Sequence, residues 1–317
     1  MSEERSEPAA RPAGSGEGRV WTVMEVLDWT AGRFKRAGID TPRLDAEVLL
    51  AHVLGCDRLR LYVEHDRPLN PDERARYRDL VRRRTAGEPA AYLIGEKEFY
   101  GRSFKVDRRV LIPRPETEHL VDAALEALRD EPAASTGEPM ALDLGTGSGC
   151  IGITLAAELP GLRMVMVDLS QDACELAAEN AERLGVAERV RILQGDLFSP
   201  VEREGAGPFS LIVSNPPYIA SDEVAGLMRD VRDHEPSGAL DSGPSGTEVL
   251  ERIIREAPRF ALPGASVILE HGEGQGEALL ALVEADEHYE AARDIRDHAG
   301  LDRVFVAKVR PDAGPAE

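Results

Sequence analysis

Two short segments carry residue types and spacings suited to chemistry: Gly145-Thr146-Gly147-Ser148-Gly149 and Asn215-Pro216-Pro217-Tyr218. The first follows the run Ala141-Leu142-Asp143-Leu144 and opens a predicted helix. Glycines there let the backbone turn sharply and approach a ligand where a side chain would clash. Asp168 ends the next predicted strand, 19 residues beyond Gly149. A carboxylate at that place can accept both hydroxyls of a ribose, as on Rossmann-like sheets that hold adenosine-containing cofactors. The glycines are spaced G-x-G-x-G, so the G-x-G-x-x-G of dinucleotide enzymes is not met. Asp143 suits a cationic ligand with an amino-acid tail and would repel a pyrophosphate. After the third predicted strand comes Gly195-Asp196-Leu197-Phe198. Asp196 is placed to take an adenine amino group, and Leu197 to border the ring.

Asn215-Pro216-Pro217-Tyr218 directly follows the apolar run Phe209–Ser214. Two prolines cannot continue a β-ladder, so the chain leaves the sheet there. An amide nitrogen is a poor nucleophile because its lone pair is delocalised. The Asn215 side-chain oxygen and the Pro216 carbonyl can each accept one N–H, which fixes an NH₂ group and favours a more tetrahedral nitrogen. The Tyr218 ring can cover a planar amide. A sulfonium methyl held on the glycine loop would then be attacked in line. The same turn can hold the exocyclic amine of a flipped base, so methylation of DNA or RNA is the competing reading.

These segments need a frame. From Met140 onward strand and helix patterns alternate, the mark of an α/β, doubly wound, mostly parallel sheet. Strands are expected near 140–144, 163–167, 189–193, 209–214 and 265–270, with helices near 149–158, 171–184, 247–261 and 274–285. An antiparallel pair near 289–296 and 302–309 closes the sheet. In such a sheet the first and fourth strands flank the point where strand order reverses, and ligands bind above their C-terminal ends. Both segments therefore face one crevice.

Residues 19–87 read as a small helical domain. Thr22 and Glu25 have capping-box spacing, and Val23, Val26, Leu27, Thr30 and Phe34 share a helical face. Thr41-Pro42 opens a second helix that carries Leu44, Val48 and Leu49 and ends near Gly55, a short one lies near Leu59–Val63, and Asn70-Pro71 opens the last. That last helix carries Arg74, Arg76, Arg78, Arg82, Arg83 and Arg84, either a solvated surface or a binding face. Trp21 and Trp29 are expected in the core. Residues 88–114 form a connector in which Glu96–Tyr100 and Ser103–Val106 can pair as a hairpin around Gly101. A helix with Leu120, Val121, Ala124, Leu125 and Leu128 follows, and 131–139 reads as a loop. Residues 1–18, rich in Glu, Pro, Ala, Gly and Ser, read as a disordered tail, and 311–317 as a second tail.

The chain has 317 residues and a net charge of −20, unevenly spread. Residues 19–95 carry 14 basic against 12 acidic side chains, whereas residues 96–317 carry 22 against 42. That field repels a phosphate backbone, and no stable DNA binding is expected. Three scattered cysteines, Cys56, Cys150 and Cys174, form no C-x-x-C pair, so neither a disulfide framework nor a metal site is expected. No apolar run reaches the roughly 20 residues that span a bilayer, and no basic-then-apolar leader opens the chain, so the expected address is the cytoplasm and no membrane partner is expected.

Asp143–Gly149 with Asn215–Tyr218 resembles the amino-methyltransferases of class I, Rossmann-like fold. Further segments narrow the likeness. Pro89–Gly95, Phe99-Tyr100-Gly101, Val110–Glu118, Glu235-Pro236 with Ala239-Leu240, Leu269-Glu270-His271-Gly272 with Gln275, and Asp297–Arg303 resemble the bacterial release factor glutamine methyltransferases, the HemK/PrmC family. The likeness spans residues 21–309. It implies a helical N-terminal domain (19–87) that docks the substrate protein, joined by the hairpin connector (88–114) to an S-adenosyl-L-methionine-dependent catalytic domain (115–310). The implied substrate is the glutamine of the Gly-Gly-Gln tripeptide in peptide chain release factors, and the implied products are N5-methylglutamine and S-adenosyl-L-homocysteine. Carried over, Gly145, Thr146, Gly147, Ser148, Gly149, Asp168, Leu197 and Asn215 hold the cofactor, beside Asp196 as placed by its position after the third strand. Asn215, Pro216, Pro217 and Tyr218 clasp the amide, and Arg114, Glu116 and Thr117 wall the pocket. The chain is expected to act as a monomer. It departs from the family at Leu197, where an aromatic residue is usual, at Ala90 in place of Val, and in the small residues of Ser242–Gly246.

Overall fold

The computed structural model describes residues 20–130, 139–297 and 300–311. The tail expected at 1–18, all but residue 139 of the loop expected at 131–139, and all but residue 311 of the C-terminal tail lie outside the described residues. The chain divides into two units, Met1–Ala86 and Gly87–Glu317.

The first unit holds helices α1 (Val23–Arg36), α2 (Pro42–Leu54), α3 (Arg58–Val63) and α4 (Pro71–Thr85). Thr22 with Glu25, and Asn70 with Glu73, form full capping boxes that satisfy otherwise orphaned N–H groups at the starts of α1 and α4. Val23, Leu27, Thr30 and Phe34 of α1 are buried, as their spacing implies. Burial along α2 does not follow residue type. Leu44 is 40% exposed, while Asp45 and Glu47 are buried. Asp45 pairs with Arg84 at 2.6 Å, both side chains nearly enclosed, and Glu47 accepts from Arg43, Arg58 and Tyr62. The arginine row of α4 is therefore split: Arg84 turns inward to an acid, Arg76 caps the Val53 carbonyl, and Arg82 meets Asp79 at the surface. Trp29 is not core. It is 45% exposed, with the Arg33 guanidinium 5.8 Å from its ring centroid, and Trp21 is only half-buried.

The second unit opens with α5 (Ala90–Ile94), a helix within the connector expected at 88–114 whose five residues are too few for an apolar period to show. Strands β1 (Glu96–Phe99) and β2 (Arg102–Lys105) form the expected hairpin. Its turn residues Tyr100 and Gly101 both have positive φ, 50° and 70°, the pairing a two-residue hairpin turn of primed type requires.

After α6 (Glu118–Asp130) the elements run β3 (Met140–Leu144), α7 (Cys150–Glu158), β4 (Arg163–Asp168), α8 (Gln171–Arg183), β5 (Val190–Gln194), α9 (Ser199–Glu204), β6 (Phe209–Ser214), β7 (Ile219–Ala220), α10 (Arg229–His234), β8 (Asp241–Gly243), α11 (Glu248–Glu256), β9 (Ala261–Glu270), α12 (Gly276–Glu284), β10 (Tyr289–Arg296) and β11 (Asp302–Val309). Seven strands form one sheet in the order β10-β11-β9-β6-β3-β4-β5. β3 pairs in parallel with both β4 and β6, and β11 runs antiparallel to β9 and β10.

Strand residues alternate between two buried layers. Ala141, Met164, Met166, Leu211 and Val213 pack into one, and Leu142, Leu144, Val165, Val167 and Ile212 into the other. Burial on both faces explains the nearly continuous apolar strands. The helix expected to reach residue 261 stops at Glu256, because Pro258 has no N–H and the chain tightens into a 3₁₀ turn over Ala257–Arg259. Helices α9 and α10 and the short β7–β8 pair carried too few residues for a period to show. Among the described residues no helix is long and apolar enough to cross a membrane.

Candidate functional site

At the C-terminal end of β3 the chain reverses over Gly145–Gly149. The Gly145 and Thr146 N–H groups both donate to the Val167 carbonyl of β4, at 2.8 and 3.0 Å. Gly145, Gly147 and Gly149 have φ of 70°, 55° and 81°, values an L side chain rarely adopts. Asp168 braces this loop. Its Oδ2 accepts from the Gly147 N–H at 2.8 Å and its Oδ1 from the Ser170 N–H at 2.9 Å. An ionised carboxylate has about four acceptor positions, so each oxygen retains capacity for a ligand hydroxyl.

Asp143 lies beneath the loop, fully buried. Its Oδ2 accepts from the Thr146 hydroxyl at 2.7 Å and the Gly152 N–H at 3.1 Å, while its Oδ1 has no partner. Burial pushes this carboxyl up to about 6. Gly152 is a site-shaping residue that the sequence reading missed. A Cβ there would stand 2.9 Å from the Met166 sulfur and 3.0 Å from Asp143 Oδ2, so only glycine lets α7 approach the sheet this closely.

Strand β6 lies beside β3, and the Ser214 hydroxyl ties the two by donating to the Leu144 carbonyl at 2.6 Å. The next residue, Asn215, comes against the loop. A Cβ built on Gly145 would sit 4.0 Å from the Asn215 carbonyl oxygen. The Asn215 Nδ2 donates to Thr117 Oγ1 at 3.1 Å, and that hydroxyl donates to Glu270 Oε2 at 2.6 Å. The Tyr218 hydroxyl reaches the other oxygen, Glu270 Oε1, at 3.2 Å. Glu270, at the end of β9, is 1% exposed. Burial pushes its carboxyl upward, against the hydrogen bonds from Thr117 and Tyr218 and the nearby Arg303. Gln275 fixes the turn's backbone. Its Nε2 donates to the carbonyls of Tyr218 and Gly246 at 2.9 and 3.1 Å, and its Oε1 accepts from the Gly272 N–H at 2.8 Å.

One cavity of about 500 Å³ joins the two segments, within the usual range for small-molecule sites. Of the residues singled out in the sequence, Gly145, Thr146, Gly147, Ser148, Asp168, Asp196, Leu197, Asn215 and Pro217 line it, together with Arg114 and Thr117. Gly149, Pro216 and Tyr218 do not, nor does Glu116. Gly149 faces the core, where a Cβ would come 2.6 Å from Ile153 Cδ1. Pro216 is buried, and the Tyr218 ring packs beside Gly272 with its hydroxyl on Glu270. Asp196 lines the cavity with its carboxylate ion-paired to Arg252 at 2.8 Å. Leu197 has φ of 43°, an uncommon conformation for a γ-branched residue. Arg114 is held by the buried Glu235 at 2.7 Å. Glu270, Gln275 and Arg252 received no role from the sequence. The signal for Glu270 was an acid ending an apolar strand, at the sheet edge where ligands bind.

The PrmC N-terminal domain family matches residues 25–95, and the methyltransferase small domain family matches residues 119–231. The chain is 42% identical over 285 residues to a release factor glutamine methyltransferase of Rhodopirellula baltica, covering 90% of this chain and 95% of that one. It is 46% identical over 263 residues to the protein of that name in Chlorobaculum tepidum, covering 82% and 89%. Among solved structures, the hMettl16 catalytic domain in complex with MAT2A 3′UTR hairpin 6 overlays with a TM-score of 0.54 at 14% identity, over 75% of this chain and 84% of that one. That likeness is one of fold.

Proposed function

The chain belongs to the release factor glutamine methyltransferase family, and on that premise we propose that the crevice between the glycine loop and the Asn-Pro-Pro-Tyr turn is where it methylates a release factor glutamine. It is an S-adenosylmethionine-dependent methyltransferase, and the residues present suit that molecule. A Cβ on the cavity-lining Gly147 would meet nothing within 4 Å, so open space lies against the loop. Asp143 Oδ1, buried and partnerless behind the loop, supplies negative charge toward a cationic ligand. We assign Gly145–Ser148, Asp168 and Leu197 to holding it, with Gly149 supporting the loop from below. Asp196 borders the same space through its pair with Arg252. Bound there, the cofactor supplies a methyl group on a positively charged sulfur and leaves as S-adenosylhomocysteine.

The observation that carries the assignment is the direction of one hydrogen bond. Asn215 gives its Nδ2–H to Thr117, which leaves Oδ1 on the other side of the carboxamide as an acceptor. That oxygen and the Pro216 carbonyl are the two acceptors we assign to the substrate NH₂. Held this way, the nitrogen lone pair is aimed and the positive charge that grows on nitrogen is met by fixed dipoles. Pro217, which lines the cavity, is assigned to flank the amide, and Tyr218 to support the turn from outside the lining, its ring beside Gly272 and its hydroxyl on Glu270. As the N–CH₃ bond forms and the S–CH₃ bond breaks, the nitrogen becomes strongly acidic and its proton is released to solvent, so no strong base has to stand beside it. Nothing in the site favours a base amine over a carboxamide, and the relatives matched over most of the chain are named for release factors. The first unit is assigned to docking the substrate protein, and the chain to acting as a monomer in the cytoplasm.

The test is mass spectrometry of a release factor incubated with the protein and isotopically labelled cofactor. The expected result is one labelled methyl on the glutamine of the Gly-Gly-Gln peptide. In Asn215→Ala, kcat is expected to fall about 100-fold, the scale seen when one pre-organised polar group is removed from a reacting centre. Unchanged transfer by that variant would overturn the assignment.

A further inference from the structure

We propose that Glu270 and Thr117 are positioning residues that set which side of the Asn215 carboxamide meets the substrate. This rests on the assignment of Asn215 above. An ionised carboxylate only accepts, and a hydroxyl has a single proton to give. Thr117 gives that proton to Glu270 at 2.6 Å, so toward Asn215 it can only accept. The half of the Asn215 amide that faces Thr117 at 3.1 Å must then be the NH₂ half. The carbonyl half is left to accept from the methyl acceptor. The polarity of the whole chain is thus decided by the charge at its far end, on a side chain 1% exposed and 153 residues away in sequence from Thr117.

The same carboxylate holds the Tyr218 hydroxyl at 3.2 Å through its other oxygen. One group therefore fixes both ends of the Asn-Pro-Pro-Tyr turn. With Glu270 charged, a Thr117 proton turned toward Asn215 would leave Thr117 Oγ1 and Glu270 Oε2 facing each other at 2.6 Å with no proton between them. If the carboxylate were replaced by an amide, its NH₂ could face Thr117, the hydroxyl could turn its proton toward Asn215, and the Asn215 amide would flip to present a donor to a substrate that itself donates.

Four variants of the full-length protein test this: Glu270→Gln, Thr117→Val, Thr117→Ser and the double Glu270→Gln/Thr117→Val, with Asn215→Ala as reference. Methyl transfer to a release factor gives kcat and KM, and calorimetry gives the dissociation constant for S-adenosylhomocysteine. Glu270→Gln and Thr117→Val are expected to lower kcat up to about 100-fold, the cost of a misaligned reacting group, with cofactor affinity kept. Thr117→Ser keeps the hydroxyl and recovers kcat. The double variant is expected to be no slower than the slower single one, since both act through one chain of bonds. If Asn215→Ala is inactive while Glu270→Gln and Thr117→Val remain active, the positioning role is wrong and the assignment of Asn215 stands. If Asn215→Ala is active, the assignment itself fails. Additive losses, or losses tracking weaker cofactor binding, would also overturn the proposal, because they would mark general damage to the site.

Discussion

A carboxamide has one side that donates and one that accepts, and Asn215 is useful only if the accepting side is the one the substrate meets. The side chain alone does not decide this; Thr117 and Glu270 do, through two successive hydrogen bonds. The dependence on a buried charge gives a pH prediction. Burial raises the Glu270 carboxyl above its ordinary 4.5, opposed by the hydrogen bonds of Thr117 and Tyr218 and by Arg303 of β11, and assisted by Glu116. Cys150 of α7 also lies close enough to interact with it. Above the raised value the carboxylate only accepts and the chain of bonds keeps its direction. As pH falls through that value the protonated carboxyl gains a donor, and the direction is no longer fixed. The expected outcome is a kcat that declines on an acid limb displaced upward from the ordinary carboxylate range, with that limb absent from the residual activity of Glu270→Gln. A pH–rate profile of kcat under saturating substrate checks it. An acid limb that survives in Glu270→Gln would assign the titration to another group.

At the scale of elements, the crevice exists because β3 and β6 are neighbours and both end where the sheet order reverses. Asp143 sits on β3 directly under the resulting loop and makes its ionisation part of the stability of that element. Its ordinary value near 3.8 is raised to about 6 in the folded chain. The folded state therefore holds this proton more tightly than the unfolded state, and stability falls as pH rises from about 4 through about 6. Asp143→Asn has no such proton. Between pH 5.5 and 7.5, chosen to stay above the isoelectric point of about 4.9, the parent should lose about 1 kcal/mol relative to the variant. Urea unfolding at several pH values measures the difference; a constant offset would show that Asp143 does not titrate in this range.

The elements around the crevice were the most legible part of the sequence. Glycines after an apolar strand and a proline pair after another mark the sheet's C-terminal edge with local chemistry alone. The antiparallel closing pair expected at 289–296 and 302–309 coincides with β10 and β11. What could not be read has one cause. Glu270 binds groups 52 and 153 residues away, Gln275 reaches carbonyls 29 and 57 residues away besides its local bond to Gly272, and Arg252 meets an acid 56 residues away besides its neighbour Glu256, and no local period encodes the distant pairings. The inward turn of Arg84 toward Asp45, 39 residues away, and the exposure of Trp29 are the same kind of miss: residue type named a preference, and packing decided otherwise.

At the scale of the whole molecule, chemistry and charge are unevenly shared between the two units. Every residue lining the cavity falls between Arg109 and Arg252, inside the second unit. The second unit also carries nearly all of the chain's excess negative charge, since residues 96–317 hold 22 basic against 42 acidic side chains. The first unit has its own capped helices and its own buried ion pair, and it exposes Leu59, Val63, Tyr62 and Trp29. Cofactor binding and substrate docking should therefore separate when the chain is cut at the boundary between units. A fragment of residues 87–317 is expected to bind S-adenosylhomocysteine with the affinity of the full chain, because it keeps every residue that lines the cavity. The same fragment should methylate an intact release factor with a much higher KM and a short Gly-Gly-Gln peptide about as well as the full chain does, since such a peptide is too small to use a separate docking unit. Calorimetry and a methyl-transfer assay on the two substrates read these outcomes. A fragment that unfolds cooperatively yet binds the cofactor roughly tenfold more weakly would show that the first unit helps to shape the cavity. Equal KM for the intact factor would show that docking does not reside in the first unit.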